Sequence, residues 1–354
     1  MKRLGDVWQR FISFENLLLA FRKARLGKSR RPTVALFECH LEQELLQLQR
    51  ELQSGDYQPV AYRLFTIYER KPRQISAAPF RDRVVHHAIL NVIEPTLDRS
   101  FIDHSYACRR GKGTHAAVNQ YQHWAKRYRY ALKMDIARYF PSIDHALLKQ
   151  KLRFYLKDQK LLNLLDRIID SSQSEVEQWV YFPGDDLFTQ AERPVGIPIG
   201  NLTSQFFANL YLDDFDHFVK EQLKVKAYLR YVDDMVLLDD DKSRLAEWRL
   251  RCSEYLQNER LKLHPCKAHI MPVCLGVDLL GYRVLPEHRR LRNDNGHRFV
   301  RKLRRLAAGY AASRLDWSDI DPSVQSWIGH AKQAQTLGLR EHIFSEIVFQ
   351  RGRT

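Results

Sequence analysis

Two adjacent aspartates, Asp233 and Asp234, interrupt the stretch KAYLRYVDDMVLLDDD at residues 226–241. The runs at 228–232 and 235–238 are rich in Tyr, Val and Leu and read as strands, which puts the pair in a tight turn between them. The usual turn pairs, Asn-Gly and Asp-Gly, are missing, and neighbouring carboxylates repel unless a cation or protons neutralise them. Upstream, LKMDIARYF alternates Leu132, Met134 and Ile136 with Lys133, Asp135 and Ala137, so a strand here turns Asp135 away from its apolar face. Alone, Asp-Asp is an ordinary solvated turn and a strand-end Asp an ordinary cap or ion-pair partner. Together they make a three-carboxylate cluster. Such a cluster suits Mg²⁺, which takes oxygen ligands and keeps positions for water and phosphate. Two such ions can activate an attacking hydroxyl and stabilise the leaving oxygen of a phosphoryl transfer.

Other clusters compete less well. Asp213, Asp214 and Asp216 in NLYLDDFDHF fall on a helix whose apolar face is Phe206, Leu210 and Phe218, and they read as its outer face. HPCKAHIMPVC gathers His264, Cys266, His269 and Cys274, but at a spacing that matches no common zinc pattern. The chain of 354 residues carries 57 Lys+Arg against 42 Asp+Glu, a formal charge of +15 that points to a polyanionic partner such as nucleic acid. The basic residues gather at 69–83, 108–113 and 287–305. Five cysteines without a CxxC pair fit a reducing compartment. No 18-residue apolar run and no signal-peptide core are present, so a soluble, cytoplasmic protein with no membrane partner is expected.

Periodicity supplies the elements that must position these residues. Helices are expected at 11–27, 41–53, 82–98, 115–127, 202–222 and 243–258. A strand is expected through YRYALKMDIARYF, with Asp144 capping a following helix. Residues 170–192 read as polar and irregular, with a strand pair near WVYF and AERPVGIP. Further strands run through LLGYRVL, and the last 70 residues read as helical, with Asp321-Pro322-Ser323 opening a new helix.

YVDD between apolar strands, MDIARYF upstream and GIPIGNLTSQ between them resemble the motif series of reverse transcriptases. FENLLLAFRKARLGK, KPRQISAAPFRDRVVHHAI, SYACRRGKGTHAAV, LKLHPCK, LLGYRV and SWIGHAKQA resemble the family's other blocks, in the family's order, so the resemblance covers nearly the whole chain. It implies an α+β right-hand polymerase: fingers over 1–129, a palm with an antiparallel sheet over 130–284 (with an irregular insertion near 170–194) and a helical thumb over 285–354. It makes Asp135, Asp233 and Asp234 catalytic and counts them, with Ile136, as the positions that hold two Mg²⁺, for which Mn²⁺ can substitute. Lys71 and Arg73 match residues that grip the incoming dNTP, as cationic donors to phosphate would. Phe140 matches the gate against a ribose 2′-hydroxyl. Arg109, Arg110 and Lys112 would touch template backbone. Arg301, Arg304 and Arg305, on a helix with Phe299, Val300, Leu303 and Leu306 turned inward, would face the RNA–cDNA duplex.

One block is unusual. Where most group II intron, retron and retroviral enzymes resemble QGxxxSP, this chain has Ile199-Gly200-Asn201-Leu202-Thr203-Ser204-Gln205. That IGxxxSQ form is similar to the reverse transcriptases of diversity-generating retroelements. The resemblance implies copying of a template-repeat RNA into cDNA with errors at template adenines, assisted by a small basic accessory protein. Ile199 and Gln205 would then lie at the nucleotide. Two alternatives stand beside it: a retron-like or antiphage-defence reverse transcriptase, and a non-catalytic nucleic-acid-binding protein on a polymerase fold. The three intact aspartates argue against the latter.

Overall fold

The computed structural model describes residues 3–68, 72–172, 180–186 and 188–351. Its strands are β1 (Arg63–Tyr68), β2 (Pro72–Ala77), β3 (Tyr130–Asp135), β4 (Ala227–Tyr231), β5 (Asp234–Asp239), β6 (His269–Pro272), β7 (Val277–Leu279), β8 (Tyr282–Val284) and β9 (Arg289–Leu291). They form an antiparallel β1–β2 hairpin, a central antiparallel sheet in the order β4-β5-β3-β6, and a three-stranded sheet β7-β8-β9. The remainder is mainly helical, so the expected α+β class with an antiparallel sheet is what the chain adopts.

Alternation along the central strands buries both faces of the sheet. Leu132 and Met134 of β3, Tyr228 of β4, and Met235 and Leu237 of β5 enter one core, shared with the N-terminal helices and the helix Phe80–Leu97. Ala131, Ala227, Leu229, Val236 and Leu238 enter a second core with β7–β9 and the C-terminal helices. The two cores sandwich the strands, and only their ends are left for polar chemistry. The outer strand β4 is covered: Arg230 donates its backbone N–H to His104 O at 3.0 Å, and Tyr106 donates to Arg230 O at 2.9 Å. On the opposite edge, β6 is four residues long and ends in Pro272.

Local signals account for many helix ends. Ser13, Asp144, Asp158 and Asp241 each cap a helix start through their side chains, and Gly55 ends Leu41–Ser54 in the left-handed conformation. Other expectations need correction. The helix expected over 202–222 breaks into Leu202–Tyr211, Asp213–His217 and a wide turn Phe218–Gln222. The helix expected to open at Asp321 begins at Trp317. Asp316 and Asp319 form a capping box there and leave Pro322 inside the helix. Around the expected strand pair, no strand occurs among the described residues of 180–198, and Thr189–Glu192 is a short helix. Backbone N–H groups there go to side chains instead: Phe182 N–H donates to Asp185 Oδ2 at 2.8 Å and Thr189 N–H to Asp186 Oδ1 at 2.7 Å, while Asp185 also pairs with Arg193.

Candidate active site

β3 and β5 set the geometry. Asp135, the last residue of β3, lies directly opposite Asp234, the first residue of β5. Facing residues of an antiparallel pair share a side of the sheet, so the two carboxylates meet at its polar end. Lys133, two residues back on β3, lies on the same side with its Nζ 3.3 Å from Asp234 Oδ1. Lys267 donates to both oxygens of Asp135 at 2.8 Å. Main-chain bonds fix this strand end: His264 N–H donates to Asp135 O at 2.7 Å, and Ala137 N–H to Lys262 O at 2.9 Å. Ile136 between them is buried and bridges to Leu263.

Asp233 stands in the two-residue turn between β4 and β5. The turn does without glycine by putting Val232 at a φ of 57°, the left-handed region that β-branched residues avoid. Burial, and then the charges of Asp234 and Asp135, push the Asp233 carboxyl up to about 6. Among the described residues no set of three His, Cys, Asp or Glu side chains is closed up as a metal-holding group. The charge opposite Asp135 and Asp234 comes from Lys267 and Lys133. The donor set nevertheless fits a hard divalent ion: it is all oxygen, and burial together with the neighbouring negative charges raises Asp233, a cost that a cation would relieve.

The segment 194–201 links residues 140–145, which follow β3, to the β1–β2 hairpin. His145 N–H donates to Pro194 O, Gly196 N–H to Ile143 O, Ile197 N–H to Phe140 O at 3.0 Å, and Ser76 N–H to Ile199 O at 3.0 Å. Phe140 and Ile199, both half-buried, are thereby tied to one strip of backbone. Gly200 has a φ of 109°, and a methyl group there would fall 2.8 Å from Ile75 Cγ2, so the close approach to β2 requires glycine. Gln205 is half-buried on the helix Leu202–Tyr211.

The cationic candidates divide. Arg73 is exposed on β2, and Lys71 lies outside the described residues. Arg109 is not available to a template. Its guanidinium donates to Asp98 Oδ1 at 2.6 Å and to the carbonyls of Ile102, Ser105 and Asp98, so it braces its own loop. Lys112 binds Asp103 at 2.5 Å, while Arg110 is exposed. Arg301, Arg304 and Arg305 are exposed on the helix Asn293–Ala311, whose Phe299 stacks on Trp327 at 3.9 Å.

The acidic cluster at 213–216 departs from its expected outer position. Asp214 is exposed, but Asp213 and Asp216 are buried. Asp213 accepts from the Tyr155 hydroxyl at 2.6 Å, and Asp216 pairs with Arg230, both side chains fully buried. Sequence reasoning passed over Arg230. Its one signal is a charged residue inside an otherwise apolar strand of a sheet covered on both faces.

The family described as "Reverse transcriptase (RNA-dependent DNA polymerase)" matches residues 68–284. Protein YkfC of Escherichia coli (strain K12) is 26% identical over 295 residues, 72% of this chain and 74% of that protein. Group II intron-encoded protein LtrA of Lactococcus lactis subsp. cremoris is 26% identical over 188 residues, 52% of this chain and 29% of that protein. A solved apo telomerase from Candida tropicalis, truncated from its C-terminal domain, aligns with a TM-score of 0.49 at 13% identity, covering 72% of this chain and 60% of that one.

Proposed function

The chain belongs to the reverse transcriptase family, and on that premise we propose that it extends a primer on an RNA template at Asp135, Asp233 and Asp234. The observation that carries the reading is the meeting of Asp135 and Asp234 across β3 and β5 with Asp233 in the adjoining turn. In this reading Asp135 and Asp233 are the principal holders of two Mg²⁺, with Asp234 in support. When bound, the ions lower the proton affinity of the attacking hydroxyl and neutralise charge on the transferring phosphoryl group. The chain's own contribution is positional. The β3 end is pinned by His264, and Asp233 is carried on a turn whose backbone is fixed. Arg73 supplies a cation for the triphosphate, and Phe140 and Ile199 line the approach to the base pair. The residues up to 129 act as fingers, 130–284 as palm and 285–354 as thumb. Template RNA and the growing RNA–cDNA duplex run along the face carrying Arg301, Arg304 and Arg305.

The finer reading is a diversity-generating retroelement enzyme that works with a small basic accessory protein. Its support is the IGxxxSQ block. Ile199 has no hydrogen-bonding side chain with which to restrain a nucleotide, so it can pack but cannot direct. Loss of a positioned polar group relaxes discrimination between right and wrong bases. The test is to sequence cDNA made on a defined RNA by wild type and by Ile199→Gln, with the accessory protein present. Fewer misincorporations opposite template adenine in the variant are expected; an identical error spectrum refutes the role of Ile199.

A further inference from the structure

The side of β4 turned away from the carboxylates holds a group that the chemistry above leaves unused. Arg230 is fully buried, and each of its five N–H donors has an acceptor. Nε donates to Asp216 at 2.8 Å, and Nη2 donates to Asp216 Oδ2 at 2.6 Å and to Asn209 O at 3.3 Å. Nη1 donates to Asn209 Oδ1 at 3.2 Å and to Val232 O at 3.1 Å. The acceptors are themselves held. Asp216 also accepts from the Tyr228 hydroxyl at 2.6 Å, and the Asn209 amide donates to Ala107 O at 2.7 Å. The arginine backbone is clamped as well, by His104 and Tyr106.

A buried ion pair is a poor device for stability alone, because well-packed apolar residues of similar volume usually do as well or better. What an apolar pair cannot do is hold a carbonyl. The carbonyl held here is that of Val232, the residue whose φ of 57° turns the chain so that Asp233 follows at the tip. A β-branched residue stays in that region only when its surroundings over-determine it.

We propose that Arg230 is a positioning residue of the polymerase site: anchored by Asp216 and Asn209 on the far side of the sheet, it holds the Val232 carbonyl and so keeps the strained turn that presents Asp233. The inference rests on the reading of Asp233 as a metal-holding catalytic residue. It adds to that reading a second layer beneath the sheet that fixes where the carboxylate stands. A misplacement of about 1 Å at a reacting centre can cost about 10²-fold in rate.

The test compares primer extension by wild type, Asp233→Asn, the double variant Arg230→Met/Asp216→Leu, and Arg230→Lys, each with a melting curve and a Mg²⁺ titration. The double variant replaces the buried pair by apolar side chains; Val232 O loses its donor, and so do Asn209 O and Oδ1, while the Tyr228 hydroxyl loses its acceptor, which the melting curve registers. Arg230→Lys keeps a charge opposite Asp216 but cannot reach Asp216, Asn209 and Val232 together. The expected result is kcat lower by about 10²-fold, with the half-saturating Mg²⁺ concentration raised and the KM for dNTP unmoved. Adding Val232→Gly to Arg230→Lys should return part of the lost rate, because glycine takes the positive φ unaided. A folded double variant, or a folded Arg230→Lys, with wild-type kcat and metal dependence overturns the proposal. So does a loss of rate in Arg230→Lys that only follows the loss of folded protein and that Val232→Gly leaves unchanged. Asp233→Asn separates the two ideas: if it polymerises normally, the catalytic reading itself has failed, whatever the Arg230 variants do.

Discussion

Lys267 and Asp135 form a two-point ion pair, with the lysine Nζ 2.8 Å from each carboxylate oxygen at the end of β3. The lysine thus occupies the charge position that a divalent ion would need, on the carboxylate facing Asp234. A metal held there as proposed would compete with this ammonium group for the same oxygens.

That competition has a measurable sign. In Lys267→Ala the carboxylates lose a balancing charge, so the melting temperature in EDTA should fall. Binding to the folded form stabilises by RT ln(1 + [L]/Kd), so added Mg²⁺ should raise the melting temperature more in the variant than in wild type. Thermal melts with and without Mg²⁺ check this, and equal shifts in the two proteins would contradict it.

Asp233 should show the opposite balance of stability and activity. Its carboxyl is pushed up to about 6 by burial and by its acidic neighbours, so keeping it ionised at pH 7.5 costs folded-state stability. Asp233→Asn should therefore stabilise the metal-free protein, on the order of 1–3 kcal/mol, while abolishing Mg²⁺-dependent dNTP incorporation. Denaturant melts at pH 7.5 and primer-extension assays read the two effects separately.

The exposed arginines of the helix Asn293–Ala311 should govern the salt dependence of duplex binding. Neutralising Arg301, Arg304 and Arg305 together should lower affinity for primer–template. The plot of log K against log salt should flatten by about 0.9 for each phosphate that is no longer neutralised. Binding titrations between low and moderate salt measure it. An unchanged slope would put the duplex on another face.

Acid should weaken the N-terminal core through His86. Burial, reinforced by His87 and Arg83, lowers this imidazole to about 4 from an ordinary 6.5, and its buried Nδ1 has no hydrogen-bond partner among the described residues. A depressed histidine is neutral when folded. Below pH 6.5 the unfolded chain takes up a proton that the folded chain refuses, so stability falls as the pH drops from 6.5 towards 4 and the loss then levels off. His86→Met should keep neutral-pH stability and reduce that acid slope by up to about 1.4 kcal/mol per pH unit. Urea melts at pH 7, 6 and 5 give the comparison.

What could be read from the residues was what repeats or caps. The 3.6-residue pattern in DRVVHHAILNVIEPTLD places a helix close to its observed bounds and Asp144 caps the helix it was expected to cap; the strand expected through YRYALKMDIARYF is found, but it stops at Asp135 and the chain turns helical at Tyr139–Ser142. The clustering of Asp135 with the Asp233-Asp234 pair was legible too, although the register that sets Asp135 opposite Asp234 was not. Less legible were partners separated along the chain. Arg230 and Asp216 lie on different elements, and only the packing of β4 against the helix beneath it shows that the two charges bury together. Arg109 looks like a free cation because its acceptors are mostly carbonyls, which composition cannot display. Helix Gln159–Asp170 is hidden by the polar stretch that follows it, although its leucines recur at helical spacing.

The covered flank of β4 also bears on how many copies of the chain can live side by side. An open strand edge is a template for a stranger's backbone, and the usual outcome is aggregation. Here the segment through Ser105 already takes the place a foreign strand would need, and the opposite margin is cut short at Pro272. The sheet that carries the three aspartates is therefore a poor seed for fibres, even though its strands are among the most apolar stretches of the chain.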